Sequence, residues 1–599
     1  MHPNSTESSW YSLNSGLAHE AEMNFLRQDI LYAVRQLRRN GGFTLAAVLT
    51  LALGIGANLT VFLIMYGVLL RPLPFPQPDK IVRVERLYPN GDRVPTYSGT
   101  KFLFMRRASR TLEAATAYDY APATINLVQG GNAVPIKVLH VTSGFFEVFQ
   151  MPLLMGRGFG GKDMASGAPG VAILSAALWR QNFGNDPNVL GRSITLGSVK
   201  YTVIGVARPE FRLDARVDVW TPLRITETPG DQANDYSFVA RLKPGVTSAQ
   251  ARDDLQRVLL ELKSTYPKLW NRYESVAVLD FHDSLVGNVR PALEMLMGAV
   301  FLLLAIVAAN ILSLLLTRAI GRRREMGLRS ALGASGWRLL RQLLVENAIL
   351  CIAGGFAGIA LAQFAAPALM HLSPIHLPRF ASLDIGGAAL AFAAGLIAVC
   401  ALIFSLVPIF ESRHTQLSES LRINAAQIAS GRNWTQRALV ISEVAVSLVL
   451  LAAAALLLTS FWKLVHTPPG FSTKNVLTFK NSFSEEQTAG SALLDQRLNE
   501  LTARLEAIPG VESAAAVSDL PTQVVFNLPF QVSGRSSNRK DAQGEEDYVP
   551  VTAHYFDALQ IPVIAGRVFT AADTHSSAPV VVLNQETARE FFHGENPIG

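Results

Sequence analysis

The chain has 599 residues, of which 49% are hydrophobic and only 17% charged, where a soluble protein carries about a quarter charged residues; its mean hydropathy of +0.24 points to a membrane. Two cysteines, Cys351 and Cys400, both inside long apolar runs, exclude a disulfide scaffold, a thiolate metal site and a Cys-x-x-Cys redox centre. The net charge of +6 collects on no single face or tail, which argues against nucleic acid, and the arginines cluster instead beside apolar segments, as a topology signal does.

In chain order, residues 1–22 are polar and read as a disordered tail or an upstream start. Residues 23–71 read as a cytoplasmic amphipathic helix, anchored by Arg35, Arg38 and Arg39, followed by a first membrane span. Crossing a hydrocarbon core of ~30 Å takes about 20 helical residues. No charge falls between Arg39 and Arg71, from Met295 to Thr317, from Asn347 to Met370, from Ile385 to Phe410, or from Val444 to Trp462. These are spans one to five. A secretory signal is a poor alternative for the first, whose apolar run is too long and is followed by Arg71-Pro-Leu-Pro-Phe-Pro-Gln-Pro instead of a small-residue cleavage site.

Lysine and arginine stay on the cytoplasmic side of short loops. The basic flanks precede span one, join spans two and three (Arg318 to Arg341), and join spans four and five (Arg413, Arg422, Arg432, Arg437). The consistent topology puts the N-terminus in the cytoplasm, with residues 72–290 and 467–599 outside. Within 72–290, strand-like runs such as Lys80 to Glu85, Val171 to Leu174 and Lys200 to Val206 alternate with helix-like ones such as Ala176 to Phe183 and Ser248 to Tyr266. The expected class is α+β, a polytopic helical membrane protein with large mixed extracytoplasmic domains. Residues 291–420 hold spans two to four and residues 421–466 hold span five.

Val141-Thr-Ser-Gly-Phe-Phe-Glu-Val-Phe-Gln-Met-Pro returns as Val551-Thr-Ala-His-Tyr-Phe-Asp-Ala-Leu-Gln-Ile-Pro, and the stretches after Ala168 and Phe183 return after Ala578 and Phe592. So long a period means a duplicated domain, not a solenoid. The second copy reaches only the counterpart of Gly191, so 467–599 is expected to be an incomplete outer domain of a truncated fragment.

Gly156-Arg-Gly-Phe-Gly-Gly-Lys162-Asp163 has the spacing of a phosphate-binding P-loop but places Asp163 where Mg²⁺ needs Ser or Thr. Its repeat keeps Gly566, Arg567, Phe569 and Asp573 while Gly161 and Lys162 become Ala571 and Ala572, so a shared turn is expected. No metalloprotease or nucleophile-elbow motif occurs and no catalytic or metal residue is assigned; His371 and His376 share a short outer loop and could hold a metal, but solvated side chains are the expected reading. Asn58, Asn310, Glu346 and Glu443 are polar within spans, where such residues are costly. The asparagines are expected to bond between helices and the glutamates to anchor cytoplasmic ends, while Gly54 and Gly56 allow close helix approach.

The loop at 318–341 remains. Arg322, Arg323, Arg324 and Arg329 flank a small and apolar surface that includes Gly327, Leu332, Gly333 and Ala334, with Glu325 among them, which suits insertion into a partner's groove. Arg324-Glu-Met-Gly-Leu-Arg-Ser-Ala-Leu-Gly-Ala resembles the coupling stretch of MacB-type ABC transporter permeases, the group that includes FtsX-like and lipoprotein-releasing proteins. Asp29-Ile-x-Tyr-Ala-x-Arg-Gln-Leu-Arg-Arg-Asn, Leu53-Gly-Ile-Gly-Ala-Asn, Leu70-Arg-Pro-Leu-Pro-Phe-Pro and Pro468-Pro-Gly-Phe471 are similar to the long duplicated permeases of acidobacteria.

The resemblance implies a MacB-like periplasmic domain at 72–290, an FtsX-like permease domain at 291–420, and a bacterial inner-membrane location. It implies a cytoplasmic ABC ATPase dimer as partner, docked on the 318–341 loop, with ATP and Mg²⁺ held there and no cofactor in this chain. A periplasmic adaptor or outer-membrane channel and membrane lipid are further implied partners, and efflux from the periplasm the implied output. A regulatory scaffold activating an envelope hydrolase, or lipoprotein release, is the alternative. A membrane-bound enzyme is disfavoured because neither copy keeps a reactive constellation.

Overall fold

The computed structural model describes residues 27–598 except 90, 130–131, 212–215, 232, 270–273, 288, 322–335, 373–384, 414–432, 480–490, 522–525, 534–542 and 575. The chain divides into a membrane unit, Met1–Leu73 with Leu285–Lys463, and an outer unit, Pro74–Ser284 with Leu464–Gly599.

Among the described residues of the membrane unit, five helices are long and apolar enough to cross a bilayer: Gly41–Leu70, Arg290–Leu315, Arg341–Leu369, Gly387–Ser405 and Val440–His466. They coincide with the five charge-free stretches. Span one ends for a local reason. Its last turn widens to a π-helix over Tyr66–Leu70, the Arg71 amide closes it on the Tyr66 carbonyl, and Pro72 then holds Arg71 extended.

Span one is the most enclosed helix, with 61% of its most apolar window buried against 28–33% for spans two to four. Small residues make this possible. A methyl group on Gly56 would lie 2.9 Å from the Leu361 side chain, and one on Gly358 would lie 3.0 Å from the Gly56 amide nitrogen, so the backbones of spans one and three meet where neither has a side chain. Around this crossing Leu51, Ile55, Leu304, Val307, Ile311, Cys351, Leu396, Cys400 and Phe404 form one buried cluster, and the rings of Phe62 and Phe392 stack at 4.0 Å. Both cysteines sit in this cluster as small apolar side chains.

The first copy of the outer domain is built on a thirteen-stranded mixed sheet. One half combines the strands Ile81–Leu87, Leu112–Asp119, Tyr236–Leu242 and Ser275–Asp280 in antiparallel pairs. The other half sets Val171–Leu174 parallel to Val199–Val206 and Val219–Pro222 parallel to Asn132–Val141. Each half has its own core.

In the first half, the helix Ser248–Thr265 buries Ala251, Leu255, Val258, Leu259 and Leu262, a spacing that lines up one face of an α-helix. Thr247 and Gln250 close its N-terminus as a reciprocal capping box. In the second half, the helix Ala176–Phe183 starts on the Ser175 hydroxyl, which accepts from the Leu178 amide, and stops at Gly184 with φ +60°.

The repeat reproduces these local devices. Asn584 accepts from the Thr587 amide to start Gln585–Phe592, and His593 ends it at φ +50°. Gln150 and Gln560 take the same left-handed turn at φ +50° and +52°. The two copies differ at the strand: Val171–Leu174 is fully buried between Val199–Val206 and Val219–Pro222, whereas residues 580–583 are assigned no strand and Val581 is 69% exposed. A short apolar run becomes a strand only where neighbours take up its backbone groups, and among the described residues none does so at 580–583.

Two outcomes follow from this packing. Gly358→Leu is expected to destabilise the membrane unit by about 1–3 kcal/mol through overpacking, while Gly395→Leu, which meets open space, stays within about 0.5 kcal/mol of the parent; thermal unfolding in detergent compares them. The second concerns Asp254. Burial alone raises its pKa, but bonds from Arg257, Ser109, the Arg110 amide and Thr111 outweigh this and hold the carboxyl well below its usual range. Its contribution is therefore complete above about pH 4, the unfolded value, and is lost as pH falls further through the folded value. Asp254→Asn is expected to cost about 2 kcal/mol at neutral pH and to flatten the acid limb of stability, read by hydrogen exchange at residues 109–111 across pH 2–6.

Candidate functional site

The helix over residues 27–39 exposes Arg35, Arg38 and Arg39 and buries Ala33 and Leu37. Leu37 joins Ala47 of span one and Leu350 of span three in a small core, with Phe43, Val48 and Ile349 packed on it. A second tie is ionic: Arg341 Nε donates to Asp29 Oδ2 at 2.8 Å, with side chains only 27% and 15% exposed. Residues 318–321 and 336–341, expected as loop, are helical, the first closing Arg290–Gly321 and the second opening Gly336–Leu372, so through Arg341 the amphipathic helix braces the first turns of the helix that carries span three. Nine coupling-loop residues, Arg322, Arg323, Arg324, Glu325, Gly327, Arg329, Leu332, Gly333 and Ala334, lie outside the described residues.

Within the spans, Asn58 is fully buried, and its Nδ2 donates to the Gly54 carbonyl at 2.9 Å on its own helix and to the Val300 carbonyl of span two at 2.7 Å. Asn310 and Glu443 are half-buried and Glu346 is buried. Asn347 is a polar contact that sequence reading passed over. Its Nδ2 donates to the Phe404 carbonyl at 3.1 Å and the Ser405 hydroxyl at 3.2 Å, joining spans three and four. Its position at the edge of an uncharged run was the available signal. His371 lies in the helix Gly336–Leu372 and His376 lies outside the described residues; among the described residues no three His, Cys, Asp or Glu side chains group as metal ligands.

The P-loop-like stretch is a turn closed by an ion pair. Arg157 donates from both terminal nitrogens to Asp163, at 2.6 and 3.1 Å, and the Gly160 amide donates to the same carboxylate at 2.8 Å. Arg567 and Asp573 repeat this at 2.6 and 2.7 Å, with the Thr570 amide in place of Gly160. The arginine bonds hold both carboxyls below their usual range. Gly156 takes φ +81°, and a methyl group there would lie 2.1 Å from the Ile204 carbonyl oxygen, so the close approach of the two backbones needs glycine. An aspartate locked in this way by arginine and amide donors leaves no cradle for phosphate.

Three buried charged residues in the outer unit, Lys101, Glu274 and Arg241, carry no sequence signature of their burial. Lys101 pairs with Glu274 at 2.7 Å, both side chains almost fully buried. Arg241, 1% exposed on the strand Tyr236–Leu242, gives Nε to the Val148 carbonyl at 2.7 Å, Nη2 to Pro76 at 3.0 Å and Nη1 to Gln77 at 3.3 Å.

Comparison with known proteins agrees with this architecture. The MacB-like periplasmic core domain family matches twice, over residues 44–258 and 389–599, and the FtsX-like permease C-terminal family matches 297–417. The chain is similar to the macrolide export ATP-binding/permease protein MacB of Salmonella typhi, 28% identical over 258 residues that cover 42% of this chain and 38% of that protein. It is also similar to a MacB of Aeromonas hydrophila, 30% identical over 263 residues with the same shares. The chain thus matches well under half the length of these relatives.

Among solved structures, the periplasmic region of MacB from Actinobacillus actinomycetemcomitans aligns at 14% identity and TM-score 0.27, covering 38% of this chain and 95% of that one. A domain of a permease from Porphyromonas gingivalis aligns at 19% and 0.27, covering 35% and 93%. With five apolar helices, a large mixed outer domain and family matches over most of its length, the chain belongs to the MacB-type ABC transporter permeases.

Proposed function

We propose that this chain is the permease subunit that relays ATP hydrolysis by a separate cytoplasmic ATPase dimer to its periplasmic domains, driving efflux of a hydrophobic or peptide-like compound from the periplasm. In this reading the protein sits in the bacterial inner membrane with its N-terminus in the cytoplasm. ATP and Mg²⁺ are bound by the partner, and this chain contributes neither cofactor nor catalytic group. Arg322, Arg323, Arg324 and Arg329 steer the 318–341 loop onto the ATPase, and Gly327, Gly333 and Ala334 let it lie close. A periplasmic adaptor or an outer-membrane channel receives what is moved.

The observation that carries the reading is the brace between Asp29 and Arg341. A loop that only anchored a span would need no second helix fixed to its base. A loop that receives force does, because a push on it moves the spans only if its attachment is stiff. The match of the FtsX-like family across 297–417, which includes this loop, supports the same assignment.

The test is gentle purification from native membranes with mass spectrometry of what accompanies the chain. The parent is expected to retain a nucleotide-binding subunit, and Arg329→Glu or Gly333→Trp to lose it at least tenfold with unchanged membrane insertion, since each alters the docking surface and leaves every span apolar. No such subunit with either form would end the transporter reading. A charge exchange checks the brace: Asp29→Arg is expected to lower ATPase stimulation several-fold, and adding Arg341→Asp to restore most of it.

A further inference from the structure

The outer domain is inserted between spans one and two, so the chain enters it once and leaves it once. Both passages meet one five-residue helix, Phe145–Phe149. On the way in, Phe75 packs on Phe149 with ring centroids 4.8 Å apart. On the way out, Phe281, the first residue of the helix Phe281–Val286, packs on Phe149 at 5.6 Å. Phe211 fills the space beside Phe75, Phe145 and Phe149, at 5.6 to 5.8 Å from each.

Arg241 adds direction to this apolar contact. Its guanidinium holds the carbonyl of Val148, at the C-terminal end of the short helix, together with the carbonyls of Pro76 and Gln77 on the incoming chain. A cation suits a helix C-terminus. The incoming segment Arg71-Pro-Leu-Pro-Phe-Pro-Gln-Pro has lost the amide hydrogens at every second position, so sheet pairing cannot fasten it and its carbonyls are what a partner can grip. Only a planar fork of donors reaches three such carbonyls at once; a lysine would not. Burying a cation on main-chain dipoles is costly, and a chain that merely needed a filled core could place an apolar residue on this strand.

We propose that Arg241 and the Phe145–Phe149 helix form a joint within the outer unit that ties its entering segment, at Phe75 to Gln77, to its leaving helix, at Phe281, so that a change at one connection is felt at the other, with Arg241 as the positioning residue. This rests on the transporter reading for its purpose, but the joint itself is a property of this chain. The repeat retains the segment as Val551 to Pro562, with the same left-handed glutamine at Gln560. Coupling of this kind requires that a change at one connection be felt at the other without direct contact.

The experiment is hydrogen exchange on the full chain in nanodiscs, comparing the parent with Arg241→Met, Arg241→Lys and Phe75→Leu. Residues 281–286 form none of the Arg241 hydrogen bonds, yet their exchange is expected to quicken at least tenfold in Arg241→Met and Phe75→Leu, and by less in Arg241→Lys. The strand Val199–Val206 serves as the control for folding. If that strand stays protected and 281–286 exchanges as in the parent, the joint is overturned. If Arg241→Met unfolds the domain, Phe75→Leu decides by the same criterion.

A second arm adds the co-purified ATPase and compares exchange over residues 123–141 with and without ATP. The parent is expected to show an ATP-dependent change that Arg241→Met loses while hydrolysing ATP within twofold of the parent rate. An ATP-dependent change that survives in Arg241→Met overturns the joint and leaves the transporter reading standing. No change in the parent overturns the transporter reading, and the first arm then decides the joint alone.

Discussion

Spans one and two lie against each other, and that contact constrains everything inserted between them. The Asn58 side chain bonds across to the Val300 carbonyl, a methyl group on Gly54 would crowd Val307 at 3.1 Å and Leu304 at 3.2 Å, and Ile64 and Val68 share a cluster with Val286 and Leu293. In hydrocarbon a side-chain amide has no water to fall back on, so the Asn58 bond fixes the rotational setting of the two helices as well as their separation. A domain of about two hundred residues therefore has to begin and end at neighbouring points. Its sheet meets this requirement by pairing its first long strand, Ile81–Leu87, directly with its last, Ser275–Asp280.

The membrane unit and the outer unit solve their packing by different means. In the spans, the apolar side chains face lipid as readily as each other, so proximity depends on missing side chains: Gly56 against Gly358, and Gly354 against Leu51. Asn58 and Asn347 then donate to carbonyls across helices, and the Ser405 hydroxyl accepts from Asn347. In the outer unit water supplies the drive, and two apolar cores form, one around Tyr97, Phe102 and Phe238 and the other around Ala172, Leu174 and Val203. Among the charges buried there, Arg241 is held by three carbonyls and Asp163 by Arg157 and an amide.

Duplication sorts local from collective structure. The Arg–Asp turn forms in both copies with nearly the same distances, and so do the capped helices Ala176–Phe183 and Gln585–Phe592. Each of these needs only residues within about ten positions of one another. The strand Val171–Leu174 needs two distant partners, and its counterpart at 580–583 does not form one.

What the sequence determined by itself was whatever depends on composition and short spacing. The five spans followed from runs without charge, the helix Ala176–Phe183 from its helix-like run, and the turn at 157–163 from the failed P-loop and its repeat. The family was legible in the stretch from Arg324 to Ala334, whose pattern needs no fold to be recognised. Tertiary structure alone decided that Arg341 pairs with Asp29, that Asn347 bonds to span four, and that Arg241 holds Pro76, Gln77 and Val148 together. Those contacts join residues far apart in the chain, and a charged or amide side chain in an apolar run reads the same whether it faces water or three carbonyls. Only the packed chain fixes which, because burial and hydrogen-bond partners are set by what folds against the residue.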